Sequence, residues 1–290
     1  MNRYEKLMLK YYQVLNNAWS EKVKESAKKA IRMLIQMKGR FGKDNIQDME
    51  TVINTILGEE FASIVRQENQ IFIEKFFQLG LKDVENEVSS GLGIGLYGLS
   101  DAKQTAILAR QQHFWVGNHF GADISRRFSE SLYEALDKGY TIEKLRDVLS
   151  EQFYDIRNKG KAYWQGLAEH TALRVREFGR LAGYEKAGAR GYKLINPMDN
   201  RTSPICWALV SQNKIYPLDR ALEVRDKLLS IEMKEGSLEK AREQIKALAP
   251  WGKESNVVYD DEGTPIGITG EITPFPPFHW KCRTETRIVY

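Results

Sequence analysis

The chain has 290 residues, with 43 Lys and Arg against 39 Asp and Glu, 42% hydrophobic residues and 28% charged residues. That balance suits one large or two modest soluble globular domains and excludes collagen-like, mucin-like and wholly disordered chains. Two cysteines are too few for a disulfide scaffold. No stretch reaches the roughly 20 apolar residues of a membrane helix or the uninterrupted ~7–15 of a secretory signal, so synthesis in a reducing cytoplasm is expected. The net charge of +4 is unevenly spread: residues 1–43 hold 11 Lys and Arg against 3 acids, a net of +8, leaving −4 on the other 247. Within this basic arm, Lys22, Lys24, Lys28, Lys29 and Arg32 are candidates for contact with nucleic acid or an acidic protein partner, against the plainer reading of a solvated helix face.

Tyr4, Leu7, Met8, Tyr11, Leu15 and Trp19 recur at helical spacing, and Val23, Ala27, Ile31, Leu34 and Ile35 continue it until Gly39 and Gly42. A second helix is expected after Asp44, running with a break near Gly58 to Gly80. Residues 89–100 read as a loop; the Gly93-x-Gly95-x-x-Gly98 string within it follows helical sequence rather than a strand, so it is not expected to bind a dinucleotide. A long amphipathic segment covers about 101–138 and stops at Gly139. Thr141 is placed to cap the next helix, with Ile142, Leu145, Val148, Leu149 and Phe153 on its apolar face, and a further helix fits Ala162–Ala187. His113, His119 and His170 fall in these helices without metal-ligand register and read as packing or surface residues.

After Gly191 the pattern changes. Residues 192–196 read as a short strand, 199–207 as a polar proline-containing turn, and 213–217 as a turn into a second strand. Residues 219–250 return to helical periodicity, with a hairpin break at Gly236-Ser237. Loop and short strand follow to Phe278, and the shared parity of Thr284, Thr286, Ile288 and Tyr290 predicts a terminal strand. The expected fold is α+β and predominantly α-helical: a long-helix region over 1–158, then a small C-terminal α+β domain over 159–290 with a short antiparallel sheet and a helical insertion at about 219–250.

The chemistry concentrates at Cys206, His279 and Cys282. His279-x-x-Cys282 is a spacing from which two side chains in one turn reach one metal ion, and Asp199 with Cys206 completes a candidate four-ligand Zn²⁺ set. The alternative is that two buried thiols and a hydrogen-bonded histidine knit a small domain without metal. A third reading makes Cys206 a nucleophile with His279 as its base: Cys206-Trp207 is similar to the Cys-Trp pair of papain-like proteases, but no Asn follows His279 to orient it.

The ordered set Asp199-x-Arg201-Thr202-x-x-x-Cys206, Asn213-Lys214-Ile215-Tyr216 and Pro276-Pro277-x-His279-x-x-Cys282-Arg283 resembles the phage Mu F-like head morphogenesis family, over about residues 160–290 and including Glu169–Arg174. The resemblance implies a minor head protein of a tailed bacteriophage, without a catalytic centre or small-molecule substrate. It would associate with the portal or capsid protein, assist procapsid assembly, DNA packaging or delivery, and be assembled in the host cytoplasm into the virion. It also implies that Asp199, Arg201, Thr202, Cys206, His279, Cys282 and Arg283 hold the C-terminal domain together. The motif halves are therefore expected to meet, with Cys206 near Cys282 and Arg201 or Arg283 forking onto Asp199. The sequence departs from the family in having Ser203-Pro204-Ile205-Cys206 where some relatives have CxxC, and in the 219–250 insertion. Some relatives continue into a toxin-like enzymatic domain; here eight residues follow Cys282, so none is expected. A DNA-binding accessory protein using the basic arm and a thiol hydrolase at Cys206 remain the alternatives.

Overall fold

The structure is a computed structural model that describes residues 1–36, 42–88, 97–233 and 238–289, with the side chains at 43, 117–127, 136 and 142 outside the description. The interruption at Gly39, most of the glycine string at 93–98, the side chain of His119, the break at Gly236-Ser237 and Tyr290 lie outside the described residues.

The fold is α+β and predominantly α-helical. Helix α1 spans Arg3–Gln36, α2 Lys43–Asn54, α3 Phe61–Ile64, α4 Arg66–Glu87, α5 Leu99–Asp137 and α6 Ile142–Lys186. Where a break was expected near Gly58, a π-helical stretch, Thr55–Glu60, joins α2 to α3. Gly139 closes α5 at φ +63°, and Thr141 Oγ1 accepts from Lys144 N at 3.3 Å as the N-cap of α6. The two helices expected within 142–187 are one, 45 residues long. Gly160 does not break it, because its missing side chain is filled from outside: an added Cβ would stand 2.0 Å from Trp19 Nε1.

Strand β1 (Gly191–Ile195) is followed by α7 (Pro204–Ser211), β2 (Tyr216–Pro217), α8 (Leu218–Ser230), α9 (Leu238–Leu248), β3 (Val257–Tyr259), β4 (Pro265–Ile268) and β5 (Glu285–Val289). One antiparallel sheet has the order β2-β1-β5, with Tyr192 opposite Tyr216 and Ile288; β3 and β4 form a separate antiparallel pair. The polar turn expected at 199–207 is present at its start, over 199–203, and passes into α7 from Pro204. Ser203 is its N-cap, accepting from Cys206 N at 3.2 Å, and Pro204 takes the first helical position, where no N–H is needed.

The chain forms two compact units, each assembled from separated stretches: Met1–Met8, Gln70–Arg110 and Gly166–Tyr290 in one, Leu9–Asn69 and Gln111–Gln165 in the other. The second unit is built on aromatic packing. Trp19, Phe61 and Trp164 are fully buried with ring centroids 4.9–5.4 Å apart. The buried Tyr11 hydroxyl donates to Asn69 Oδ1 at 2.8 Å and accepts from Gln112 Nε2 at 3.0 Å.

In the first unit α4 and α6 meet at glycines. A Cβ on Gly80 would lie 2.0 Å from the Arg176 carbonyl oxygen, and one on Gly179 2.1 Å from that of Phe77, so any side chain there forces the helices apart. That approach brings charged side chains of both helices onto β5. Arg176 binds Asp83 at 2.6 Å and Glu285 at 2.5 Å, and Arg180 pairs with Glu87. Glu87 also accepts from Ile288 N at 3.2 Å. Glu177, with no exposed surface, accepts from Thr286 Oγ1 at 2.6 Å and Thr286 N at 3.3 Å. Burial opposes charge on Arg176 and Arg180, but the neighbouring carboxylates outweigh it and keep both charged. Burial pushes the Glu177 carboxyl up to about 7, against the pull of Arg180.

A carboxyl whose folded value is raised binds protons more readily in the folded state. Its contribution is complete below the unfolded value of 4.5 and is lost as pH rises through about 7. Between pH 5 and pH 8 the native chain should therefore lose roughly 1–3 kcal/mol more stability than Glu177→Gln. Urea denaturation at the two pH values checks this; equal pH dependence in both proteins would contradict it.

Candidate metal centre

The first half of the motif leaves β1 through a tight turn. Asp199 O accepts from Thr202 N at 2.9 Å, Asp199 Oδ1 accepts from Arg201 N at 2.9 Å, and Thr202 Oγ1 accepts from Asp199 N at 3.1 Å. This Asx-type turn delivers Ser203 to the head of α7, which places Cys206 in the first helical turn, 1% exposed. The second half approaches through a buried Phe275 and Phe278 and turns at Lys281, φ +60°. Cys282 N donates to the His279 carbonyl at 3.3 Å, so the two side chains share one side of the turn.

The halves meet. Cys206 Sγ lies 3.6 Å from Cys282 Sγ and 3.0 Å from His279 Nε2, and Ser203 Oγ is 2.8 Å from the same nitrogen. His279 Nδ1 lies 2.8 Å from the Trp280 carbonyl, which can only accept, so Nδ1 carries a proton and, in the neutral ring, the Nε2 lone pair faces the sulfurs. A ligating histidine is oriented in this way by its outer partner. The ligand atoms of Cys206, His279 and Cys282 all lie within 4.8 Å of one another. Two sulfurs bound at ~2.3 Å to a tetrahedral Zn²⁺ stand about 3.8 Å apart, so the S···S separation here suits that ion with little movement.

Asp199 is not in this set. Arg283 grips its carboxylate with both terminal nitrogens, and the bond to Arg283 holds Asp199 well below the usual carboxylate range. The four-ligand expectation thus separates into three donors and an adjoining ion pair. Arg201 lies exposed, 3.6 Å from Asp199, leaving Arg283 as the fork. Thr202 Oγ1 donates to Asn196 Oδ1 at 3.3 Å, and Asn196 Nδ2 donates to Thr284 Oγ1 at 2.8 Å, tying the turn to the start of β5. The Cys282 thiol bond lowers Cys206 to about 7 despite burial, with Ser203 adding to the effect. Cys282, bonded to Cys206 and buried, moves up. Burial works against His279, but the bond to Cys282, the Cys282 charge and the Trp280 carbonyl together outweigh it and raise the imidazole. The arrangement offers one readily formed thiolate, one thiol and one imidazole nitrogen that ligates once its proton has left, a soft donor set suited to zinc.

The basic residues of the arm are not equivalent. Lys22 is mostly buried between Glu25 and Glu60, at 2.8 and 2.6 Å, and Lys29 reaches Glu25 at 3.4 Å. Lys24 pairs with Glu21, while Lys28 and Arg32 are exposed with no ion pair among the described residues. His113 lies 3.0 Å from Arg66 through Nε2. Ser203, Asn196 and Thr284 belong to the site but carry no sequence signal beyond the Ser-Pro start of a helix. Comparison of the chain with family models, curated proteins and solved structures finds no match.

Because the Asp199–Arg283 pair fixes both halves of the motif, Asp199→Asn should lower the thermal midpoint and speed labelling of Cys206 by a thiol reagent in the native protein. Arg201→Ala, at an exposed position, should change neither. Differential scanning fluorimetry and labelling rates at neutral pH check both; unchanged labelling in Asp199→Asn would contradict the assignment.

Proposed function

We propose that the chain is a non-catalytic minor head protein of a tailed bacteriophage, related to the Mu F-like head morphogenesis family. In this reading it binds portal or capsid protein during procapsid assembly and DNA packaging. The observation that carries the reading is the convergence of the two motif halves, 73 residues apart at Cys206 and His279, into one buried cluster. Among the ordered residues by which the chain resembles the family, Asp199, Cys206, His279, Cys282 and Arg283 make the contacts that support this reading.

The same cluster favours structure over hydrolysis. A cysteine nucleophile must reach its substrate, and Cys206 and Cys282 are 1% and 8% exposed. Zinc at Cys206, His279 and Cys282 would cross-link α7 to the 279–282 turn through three protein donors, leaving its fourth position to water or a further donor. The exposed Lys28 and Arg32 on α1 supply a positive face for an acidic protein surface or packaged DNA. No helix among the described residues is long and apolar enough to cross a membrane.

Co-expression with the portal and capsid proteins encoded in the same genome tests the role: the chain should co-sediment with portal or procapsid, and absence from both would overturn the reading. Metal analysis tests the centre separately. About one zinc per chain is expected, lost in Cys206→Ser and Cys282→Ser and retained in Asp199→Asn. A native protein free of zinc after expression in zinc-supplemented medium would leave the thiols and histidine as a metal-free knit.

A further inference from the structure

Gly166, His170, Arg174 and Phe178 follow one another at intervals of four along α6 and so form one ridge of that helix. The C-terminal part of the chain covers the ridge at both ends. Trp280 lies against Gly166, where an added Cβ would stand 2.5 Å from the indole, and stacks on His170 with centroids 5.6 Å apart and planes at 22°. Trp251 lies 5.4 Å from His170 and 6.3 Å from Trp280. At the other end Phe178 meets Phe275 edge-on at 5.7 Å. Both tryptophans keep an open face, at 44% and 37% exposure.

Arg174 lies between these ends, half-buried, with its guanidinium 5.7 Å from the Phe178 ring centre. Among the described residues it makes no hydrogen bond and no ion pair. His170 makes no hydrogen bond either, and its Nδ1 is buried without a partner. Burial lowers Arg174 to about 10; burial and then Arg174 lower His170 to about 3; no carboxylate acts on either. Two residues further along, Arg176 is satisfied by Asp83 and Glu285. A buried polar atom without a partner is unfavourable, as His170 Nδ1 is here, and the neighbouring Arg174 guanidinium, half-buried and facing no carboxylate, is open to an acceptor from outside.

We propose that Arg174, His170, Trp251 and Trp280 form a binding site for the phosphate-bearing end of single-stranded nucleic acid. The guanidinium forks onto the phosphate, and a base stacks on the open face of an indole. The planar fork of arginine matches phosphate geometry, and half-exposed indoles beside a cation are the surface on which unpaired bases stack. This site is separate from the basic face of α1 and does not rest on the head-protein reading.

The test uses the full chain and four probes: 5′-phosphorylated (dT)4, unphosphorylated (dT)4, inorganic phosphate and a glutamate-rich peptide. Calorimetry and tryptophan quenching at low salt give affinities. The phosphorylated oligonucleotide should bind at one per chain and quench fluorescence. Its affinity should fall at least tenfold in Arg174→Gln and about tenfold in Trp251→Ala, while the Lys28→Gln, Arg32→Gln double variant binds as the native protein does. Arg174→Met, which removes an unpaired charge, should melt at or above the native temperature, so loss of binding there cannot be ascribed to unfolding. Four results would overturn the proposal: equal binding by Arg174→Gln and native protein, phosphate binding as tightly as the phosphorylated oligonucleotide, an Arg174-dependent peptide binding more tightly than the oligonucleotide, or a large fall in the melting temperature of Arg174→Met.

Discussion

Charge buried on a helix must find partners on whatever packs against it, and α6 is where this requirement is met and left unmet. Arg176, Glu177 and Arg180 face α4 and β5, and Asp83, Glu87, Glu285 and Thr286 answer them. The helices approach closely enough for this because Gly80 and Gly179 carry no side chains. Removing one partner from such a set leaves an uncompensated charge, which costs far more than the pair contributes when intact. The arrangement therefore fixes position and register more than it adds stability. Arg174, two residues from Arg176, has no such answer.

The position of β5 decides the cysteine centre. β5 pairs along β1 in register from Gly191–Val289 to Ile195–Glu285, and the two motif halves adjoin this pairing, one leaving β1 and the other entering β5. The Asp199–Arg283 fork then clamps the same junction just beyond the last pair. Cys206, His279 and Cys282 are brought within bonding reach by these neighbours, so the centre is a consequence of the sheet and its clamp. The α8 and α9 segment lies between the motif halves in sequence without separating them in space.

Much of this was legible in the residues. Gly139 and Thr141 marked the α5–α6 boundary because a left-handed glycine and a threonine N-cap are local requirements. The short strand expected over 192–196 lies at 191–195, the terminal strand at 285–289 follows from the parity of Thr284, Thr286 and Ile288, and Cys206, His279, Cys282 and Arg283 follow from spacing and resemblance. The misses share a cause. The residues suggest two helices within 142–187, one opening at Thr141 and one over Ala162–Ala187, whereas α6 runs unbroken through Gly160, whose tight contact with Trp19 is made to a distant part of the chain. Asp199 read as a metal ligand because a carboxylate near cysteines has that chemistry in isolation; Arg283, 84 residues away, claims it.

The sequence by itself determined the helical majority, the terminal strand, the basic character of residues 1–43 and the identity of the donor atoms, since each depends on neighbours a few residues apart. Tertiary structure alone decided which charges are spent internally. It paired Lys22 with Glu25 and Glu60, and Arg176 and Arg180 with carboxylates from α4 and β5, and it left Lys28, Arg32 and Arg174 without an ion pair among the described residues. A charge is available to a partner only if no carboxylate folds against it, and which carboxylates do so depends on contacts between segments far apart in the chain.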